Sequence, residues 1–506
     1  MKALIRGRLI RPLAKRFFCP KWKSDNTYQE RLLRYFIIQN TQTVRWKKYW
    51  FSAIKTIEDF QNNVPLSTYD DLQPYIESML QWAKNILRYG KVPFFSKSSW
   101  TTATSKYIPI THEALKKNHY AVWKMWLWLY LQQSYESLLF GGEWLIMWWR
   151  LVSNPFSPNT MNVWDVSAIL QSNAPWYTKR FRKPSPWVSF MENFDAKLDA
   201  MIEETKDLDI TYLAWVPSWL TLFLQRLLEK TGKKNILEVW PHLELFLRWW
   251  VNIVPYKQQL SQLMPWNQVT YWQNYNASEW FFAVQDKKNT DDMLLATLHH
   301  VFYEFIPFDQ IHNPHPQVLI LSQLEIGKRY ELIITTDWWL RRYRIGDVVE
   351  ITWLDPVRIR IAGRTKSFLN AFGEELMVHT TDAAIEFACK KCGLPLAEYV
   401  ATAVVEDQWW YHQWFIDFEN NISVDKSLFV AALEEYIQSH NSDYAAKRKG
   451  DILMKKLHIQ FLQPWTFHRY LESKGKLGGQ HKMKRLWNER EELMKEMGDY
   501  LSSFWE

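Results

Sequence analysis

The sequence predicts a mixed α/β protein, with α+β character, that has a large and a smaller domain. Its 506 residues are too many for one ordinary hydrophobic core. Apolar residues make up 47% and charged residues 23%, a globular composition that excludes a disordered or collagen-like chain. The spacing of apolar residues also changes along the chain between the helical and the strand period, which favours layered architectures of helices and sheets.

The first half of the chain is predicted to be mostly helical, with short strands between the helices. The clearest helix follows Pro217, where Ser218 is a candidate N-cap and Gly232 suits the left-handed residue that ends a helix. The apolar residues between them recur at helical spacing: Leu220, Phe223, Leu224, Leu227 and Leu228.

Beyond residue 330 the pattern becomes one of strands alternating with helices. Strands are predicted at 331–336, 358–361, 399–405 and 413–418, and a helix from Asp425 onward. We place the domain boundary in this region, which gives domains 1–368 and 369–506.

Charge and targeting signals indicate which partners and which cellular location to expect. The net charge is +8, but the basic clusters lack the aromatic interleaving of a nucleic-acid groove, so we expect no nucleic-acid partner. Residues 1–18 contain basic residues throughout and lack the apolar region of a signal peptide. The sequence has no run of about 18 apolar residues, so we expect no membrane-spanning helix. With only three cysteines, we expect a cytoplasmic protein, and we expect a monomer.

Tryptophan and glycine are present in unusual proportions. The chain has 31 Trp and 15 Gly, whereas average usage predicts about 35 Gly for this length. Several Ser/Thr-rich or turn-like segments contain Trp where a phosphate-binding loop needs little side-chain bulk. These segments are 96–102, 248–252, 275–280 and 336–340.

Motifs along nearly the whole chain resemble the Gretchen Hagen (auxin-responsive promoter) family of acyl acid amido synthetases, in its bacterial branch. The matching stretches are SSWTTATSKYIPIT, YNASEWFFAVQD, VFYEFIPF, YRIGDVVEIT, IAGRTKSFLNAFGEELMV, NSDYAAKRKGD and KGKLGGQHK. The resemblance implies an adenylate-forming, luciferase-like fold. Domain 1–368 would bind ATP and the acyl substrate, and domain 369–506 would be a mobile α/β domain.

Many tryptophans stand where the family has glycine. We interpret them as UGA codons translated as Trp, from a bacterium that decodes UGA as Gly. The alternative is a degenerate paralogue, although drift would not substitute one residue type so consistently. The positions concerned are Trp46, Trp50, Trp100, Trp148, Trp149, Trp164, Trp215, Trp249, Trp250, Trp280, Trp338, Trp339, Trp353 and Trp410. By contrast, Trp176 and Trp219 lie where the resemblance implies that the family itself tolerates or uses Trp.

The resemblance assigns nucleotide-binding residues to three motifs. In the first, hydroxyls and backbone donors would hold phosphate, with Lys106 as a nearby cation. In the second, Tyr275 would stack on adenine, Ser278 would contact the nucleotide and Glu279 would hold Mg²⁺. In the third, Tyr343 would line the site and Asp347 would bind the ribose hydroxyls. The first-motif residues are Ser98, Ser99, Thr101 and Thr102.

Further assignments come from the hinge and the C-terminal segment. Arg364 would approach ribose or phosphate and act in catalysis, and Lys482 would reach the active site in one domain orientation. Glu304, in the stretch VFYEFIPF, is a further candidate for contact with the nucleotide. Cys389 and Cys392 have metal-like spacing but no second pair, so we expect them to be structural.

The implied reaction is ligation driven by ATP and Mg²⁺. A carboxylic acid would attack the α-phosphate to give acyl-AMP and pyrophosphate, and an amine, most simply an amino acid, would then release AMP. The acid pocket would draw on residues 120–135, 167–176 and 217–224. Two alternatives stay open from the sequence: an acyl-CoA (thioester-forming) ligase, or a catalytically dead acyl-binding protein if the tryptophans are genuine.

Overall fold

The computed structural model describes most of the chain. The described residues are 12, 26–40, 43–44, 54–98, 106–147, 151–152, 162–164, 166–191, 193–215, 217–249, 257–265, 268–336, 339–365, 368–369, 376–395, 398–406, 409–418, 420, 424–441, 444–445, 448, 454–475 and 483–502.

The chain divides into two compact units. The first contains residues 1–216, 222–250 and 266–361, and the second contains residues 217–221, 251–265 and 362–506. The predicted boundary between residues 368 and 369 stays a prediction.

A large mixed sheet runs through the first unit, with twelve strands among the described residues. Its strands Ile210–Trp215, Leu245–Trp249 and Thr270–Asn276 are parallel neighbours. Every residue of Ile210–Trp215 is buried, as expected for a parallel strand that is covered on both faces. The strand order across the sheet is Leu319–Ile320, Val301–Pro307, Arg329–Thr336, Tyr343–Leu354, Val357–Arg364, Met293–Leu295, Phe281–Val284, Thr270–Asn276, Leu245–Trp249, Ile210–Trp215, Glu143–Ile146 and Arg182–Lys183.

Helices cover this sheet, and a smaller sheet lies in the same unit. Helix Tyr120–Gln133 packs its apolar side chains, including Trp126 and Tyr130, against the parallel strands. The smaller sheet has the order Lys106–Ile110, Phe94–Ser98, Asn162–Trp164 and Leu151–Val152. In the part of the chain that the structure describes, the other α-helices with defined bounds that begin before residue 250 are Asn26–Asn40, Ile57–Asn63, Tyr69–Leu80, His112–Ala114, Val166–Ser172, Trp176–Lys179, Pro186–Ser189, Phe194–Thr205, Pro217–Thr231 and Ile236–Val239. Leu115–His119 is a π-helix, and Phe308–Gln310 and Leu321–Gln323 are 3₁₀ turns.

The second unit has its own sheet and core. Its sheet has the order His458–Phe461, Trp409–Asp417, Glu398–Glu406 and Leu486–Trp487, and a separate pair joins Phe368–Leu369 to Leu376–Met377. Buried residues such as Ile385, Trp414 and Phe429 form one cluster between helices and strands. Among the described residues, the helices of this unit are Lys257–Leu263, Val378–Cys392, Lys426–His440, Thr466–Ser473 and Arg490–Leu501, with further helical residues at 444–445 and 448.

The elements predicted from periodicity are present. The helix after residue 216 spans Pro217–Thr231, and Gly232 follows it with a φ of +67°. Ser218 was expected to be the cap, which is wrong, because the helix begins at Pro217 and Ser218 lies inside its first turn. The helix predicted from Asp425 is capped by that residue, whose carboxylate accepts from the Leu428 N–H at 3.0 Å.

The described residues contain neither a membrane-spanning helix nor a cluster of metal-ligating side chains. None of the described helices is long and apolar enough to cross a membrane. Cys389 and Cys392 lie in helix Val378–Cys392, and both thiols are free. Among the described residues no group of three or more His, Cys, Asp and Glu could hold a metal ion.

Candidate functional site

The first motif connects two paired strands. Strand Phe94–Ser98 ends at Ser98, strand Lys106–Ile110 begins at Lys106, and these two residues are opposite each other in the antiparallel register. The ends of the loop between them are therefore held together by the sheet. Ser99, Thr101 and Thr102 lie outside the described residues.

The second motif forms the connection of a β-hairpin. Strands Thr270–Asn276 and Phe281–Val284 pair antiparallel, so that Tyr275 lies near the end of the first strand. Ser278 and Glu279 lie in the turn, where both are half-buried. The hairpin therefore presents a partly accessible carboxylate at its tip.

A glycine in the third motif produces a bulge that places Asp347. Strand Tyr343–Leu354 pairs with strand Arg329–Thr336, and their register shifts between residues 331 and 333. Gly346 lies in the extra segment with a φ of +81°, a conformation that a residue with a Cβ rarely adopts. The local sequence thus bends the strand immediately before Asp347.

The second and third motifs meet through a buried hydrogen bond. The Tyr275 hydroxyl donates to Asp347 Oδ2 at 2.6 Å, and both side chains are fully buried. Three strands lie between these two in the order of the sheet, a span of about 19 Å in a flat sheet with ordinary strand spacing. The sheet must therefore curve strongly here, and this curvature brings the two motifs together.

The placement of Tyr275 favours orientation of Asp347. The Tyr275 ring faces the core, with its centroid 4.9 Å from that of Phe282. The predicted stacking of adenine on this ring therefore has no support from its placement. Its hydroxyl instead holds one carboxylate oxygen of Asp347 in a short, charge-assisted hydrogen bond.

A second chain of polar contacts links all three motifs. Lys106 Nζ donates to the Tyr343 hydroxyl at 3.3 Å, and that hydroxyl donates to Glu279 Oε1 at 3.4 Å. Burial raises the pKa of Tyr343 well above its ordinary value, so this phenol keeps its proton at neutral pH. Tyr343 therefore bridges Lys106, at the start of a strand, and Glu279, in the hairpin turn.

Sequence reasoning missed Tyr69, which lies next to this chain of contacts. The Lys106 ammonium is 5.0 Å from the centroid of the Tyr69 ring, and the Tyr69 hydroxyl accepts from the Tyr107 N–H at 2.7 Å. Burial raises the pKa of Tyr69 to about 12. No local signal identified this residue, because it belongs to helix Tyr69–Leu80, which is remote in sequence from every motif.

Glu304 forms a buried ion pair with Arg342. It is fully buried, and both of its carboxylate oxygens accept from Arg342 Nε, at 3.1 and 3.2 Å. Arg342 also donates to the carbonyls of Gln61 and Val64, at 2.7 Å each. Glu304 therefore anchors the segment before Tyr343 by a buried ion pair, and its contact with a nucleotide stays a prediction.

Two of the tryptophans at glycine positions are buried beside the motif residues. Trp280 and Trp339 are 1% and 2% exposed and belong to the same core cluster as Tyr275 and Tyr343. The ring centroid of Trp339 lies 6.1 Å from that of Tyr343. Trp280 packs near His119, whose pKa burial lowers to about 4.

The remaining catalytic assignments fall in the second unit. Arg364 is the last residue of strand Val357–Arg364, and Lys482 lies outside the described residues. Their predicted roles stay predictions.

Three models of one family match the chain, and together they cover more than half of it. The GH3 family N-terminal domain matches residues 16–154, the central domain residues 294–364 and the C-terminal domain residues 379–491. The matched central and N-terminal segments include the third motif and the first motif, respectively.

Individual plant proteins are similar at low identity. Indole-3-acetic acid-amido synthetase GH3.3 of Arabidopsis thaliana is 24% identical over 230 residues, which is 42% of this chain and only 38% of that protein. The probable indole-3-acetic acid-amido synthetase GH3.1 of the same plant is 22% identical over an alignment of 550 residues, covering 94% of this chain and 91% of that protein.

Solved structures share the architecture. The GH3.15 acyl acid amido synthetase superposes with a TM-score of 0.75 at 16% identity, covering 95% of this chain and 97% of that one. An open conformation of 2-hydroxyisobutyryl-CoA ligase gives 0.52 at 11% identity, covering 90% of each chain. These similarities confirm the predicted mixed α/β, adenylate-forming fold. From its domain matches, the chain belongs to the GH3 family.

Proposed function

We propose that this chain is an ATP- and Mg²⁺-dependent acyl acid amido synthetase. The carboxylate of an acid attacks the α-phosphorus of ATP, and pyrophosphate leaves. The amine of an amino acid then attacks the acyl carbon, an amide bond forms, and AMP leaves with the electrons of the broken acyl–phosphate bond. The observation that carries the proposal is a set of three hydrogen bonds, Tyr275 to Asp347, Lys106 to Tyr343 and Tyr343 to Glu279, which joins three motifs distant in sequence.

The triphosphate is assigned to the loop that follows Ser98. Its hydroxyls and backbone N–H groups, from Ser99, Thr101 and Thr102, would surround phosphate oxygens. Ser98 and Lys106 are paired in the sheet, so the two ends of the segment that would bind phosphate are held close together. Lys106 supplies a positive charge at one end.

Asp347 is assigned to the ribose hydroxyls. A carboxylate accepts hydrogen bonds from two neighbouring hydroxyls, and Tyr275 already holds one of its oxygens at 2.6 Å. This hydrogen bond fixes the orientation of the carboxylate before a nucleotide binds. Preorganisation of this kind reduces the loss of freedom on binding.

Glu279 is assigned to Mg²⁺, whose charge would neutralise the phosphates during adenylation. Mg²⁺ is commonly bound by one or two carboxylates together with substrate phosphates and water. A half-buried carboxylate at the tip of a hairpin, held by the Tyr343 hydroxyl, fits that requirement. Ser278 in the same turn would contact the nucleotide.

Domain 369–506 is assigned to the closing step. Arg364 lies at the start of the second unit, where a hinge would carry Lys482 toward the reacting groups in one of two domain orientations. We further propose a cytoplasmic, monomeric enzyme whose partners are a small carboxylic acid and an amino acid.

The experiment uses two versions of the chain. One is the sequence as printed, and the other has glycine at the Trp positions that match family glycines (the glycine-restored chain). Acid-dependent exchange of pyrophosphate into ATP is measured across a panel of aromatic, indole and aliphatic acids. Products are then analysed with amino acids or with a thiol as the acceptor.

We expect the glycine-restored chain to catalyse exchange and to form amides. Asp347→Asn should lower the exchange rate at least tenfold, whereas Asp309→Asn, at an exposed carboxylate of the same unit, should leave it unchanged. Exchange with thioester products only would replace the amide-forming proposal. Failure of the restored, folded chain to bind ATP would refute adenylation itself.

A further inference from the structure

Two tryptophans adopt a backbone conformation that favours glycine. The φ angle is +70° at Trp82 and +62° at Trp465. In this left-handed region a Cβ crowds the following carbonyl oxygen, which glycine avoids and asparagine tolerates. Neither position was identified from the family resemblance.

Trp82 occupies the position that ends a helix with a left-handed residue. Helix Tyr69–Leu80 is followed by Gln81, and then the Trp82 N–H donates to the Met79 carbonyl at 3.0 Å. The Ala83 N–H donates to the Ser78 carbonyl, also at 3.0 Å. These two hydrogen bonds form a Schellman motif, in which the left-handed residue is usually glycine.

Helices Val378–Cys392 and Pro217–Thr231 of this chain are also followed by a left-handed residue, and in both cases that residue is glycine. After helix Val378–Cys392, the Gly393 N–H donates to the Lys390 carbonyl at 3.3 Å and the Leu394 N–H donates to the Cys389 carbonyl at 2.8 Å. The spacing of both bonds is identical to that around Trp82, and the φ of Gly393 is +68°. The left-handed residue that follows helix Pro217–Thr231 is Gly232.

The indole of Trp82 is not part of the buried core of the described residues. The residue is 38% exposed, and its ring has a contact with Lys91 Nζ, 4.6 Å from the ring centroid. An exposed cation–π contact changes the folded-to-unfolded ratio by about two- to fivefold. The left-handed conformation of a residue with a Cβ reduces that ratio by about five- to thirtyfold.

Trp465 has a comparable place at the start of a helix. It precedes helix Thr466–Ser473 with φ +62° and ψ +21°, and its N–H donates to Asp417 Oδ1 at 2.9 Å. The side chain is 39% exposed. The Trp465 backbone is therefore held by Asp417, and its partly exposed indole lies against the His468 ring, with the centroids 5.6 Å apart.

We propose that positions 82 and 465 are glycine in the natural protein, read from UGA codons like those inferred at the family glycine positions. The inference depends on backbone geometry and does not rest on the proposed enzymatic activity. Positions 82 and 465, both at helix ends, are thereby added to the tryptophans interpreted as recoded glycines.

The first test reads the gene and the native peptides. We expect UGA codons at positions 82 and 465, with glycine in the corresponding peptides by mass spectrometry. Trp176 and Trp219, where the family itself accommodates Trp, serve as controls and should be encoded by UGG. A UGG codon or a tryptophan-containing native peptide at position 82 or 465 overturns the proposal for that position.

The second test isolates the backbone effect on folding. Trp82→Gly and Trp82→Ala both remove the indole and its contact with Lys91, but only alanine keeps a Cβ. In chemical denaturation, we expect the glycine variant to have a folded-to-unfolded ratio about five- to thirtyfold above that of the alanine variant. Equal stability of the two variants would overturn the physical basis of the proposal.

A control separates this effect from a general gain on removing exposed indoles. Trp176 is 83% exposed and begins the right-handed helix Trp176–Lys179. Because glycine there has no left-handed strain to relieve, Trp176→Gly should not exceed Trp176→Ala in stability. If it does so by the same factor as at position 82, the preference for glycine is not caused by φ. If the variants do not fold, the codons and peptides still decide.

Discussion

The hydrogen bond between Tyr275 and Asp347 provides the most specific test of the proposed nucleotide site. Tyr275→Phe removes one hydroxyl and leaves the ring in its core position, where it packs against Phe282. Asp347 then loses a donor at 2.6 Å while it stays fully buried. The substitution therefore changes the orientation and solvation of the carboxylate with little change in volume.

The size of the effect follows from the charge of the acceptor. A hydrogen bond to a charged group contributes about 1.5–3 kcal/mol net. If that free energy supports binding of ribose by Asp347, the exchange rate at subsaturating ATP falls about tenfold to a hundredfold. We expect most of the loss to appear in the apparent affinity for ATP, because the contact orients a binding group.

The assay is acid-dependent ATP–pyrophosphate exchange in the glycine-restored chain. Tyr303→Phe is the matched control, because Tyr303 is fully buried in the same cluster and its hydroxyl makes only long hydrogen bonds, to the carbonyls of Phe282 at 3.4 Å and Ala296 at 3.5 Å. An exchange rate for Tyr275→Phe within twofold of the parent would refute the reasoning. Equal losses in both variants would show that damage to the core, rather than Asp347, is responsible.

Three other predictions test separate parts of the molecule. Glu279→Gln should raise the Mg²⁺ concentration needed for half-maximal exchange by about tenfold or more, measured by Mg²⁺ titration; an unchanged requirement would remove Glu279 from the metal site. Glu304→Gln leaves the buried Arg342 charge without its partner and should destabilise the first unit by about 3–5 kcal/mol in urea denaturation, whereas Glu350→Gln, at a surface ion pair, should change stability by less than about 1 kcal/mol. Burial raises the pKa of Asp417 from 3.8 to about 7, so the folded state keeps a proton that the unfolded state releases between these values. Stability of the second unit should therefore fall as pH rises from about 4 to 7, by at most about 1.4 kcal/mol per pH unit, and Asp417→Asn should flatten this dependence; an equal slope in that variant would contradict it.

Local patterns predicted the elements of the fold well where one physical signal dominated. The helix Pro217–Thr231 and strand Glu398–Glu406 follow directly from apolar spacing and end residues. The prediction that Ser218 is the N-cap was wrong, because a helix can begin at proline. Proline lacks an N–H, and the N–H groups of the first turn have no partner within the helix. Boundaries of this kind depend on the chain outside the helix and not on its period.

The members of the site could be named from motifs, but their contacts could not be predicted. The meeting of Tyr275 with Asp347 depends on the curvature of a sheet with three strands between them. Tyr69 had no local signal, since it contacts Lys106 from a distant helix, and the motif that contains Glu304 did not indicate its ion pair with Arg342. Such roles arise from tertiary packing, which residue spacing does not encode.

The buried indoles of Trp280 and Trp339 bear on whether ATP can bind beside Asp347. Trp280 and Trp339 lie in the same cluster as Tyr275 and Tyr343, and Asp347 is fully buried in that arrangement. A fully buried carboxylate contacts ribose only if space opens beside it, and each indole occupies about 150–250 Å² of buried surface. Glycine at both positions removes this bulk while it preserves the strands and the bulge that position Asp347. We therefore expect ATP to bind the glycine-restored chain and not the chain with tryptophan at positions 280 and 339. Equal ATP affinity of the two chains would mean that these indoles lie outside the nucleotide path.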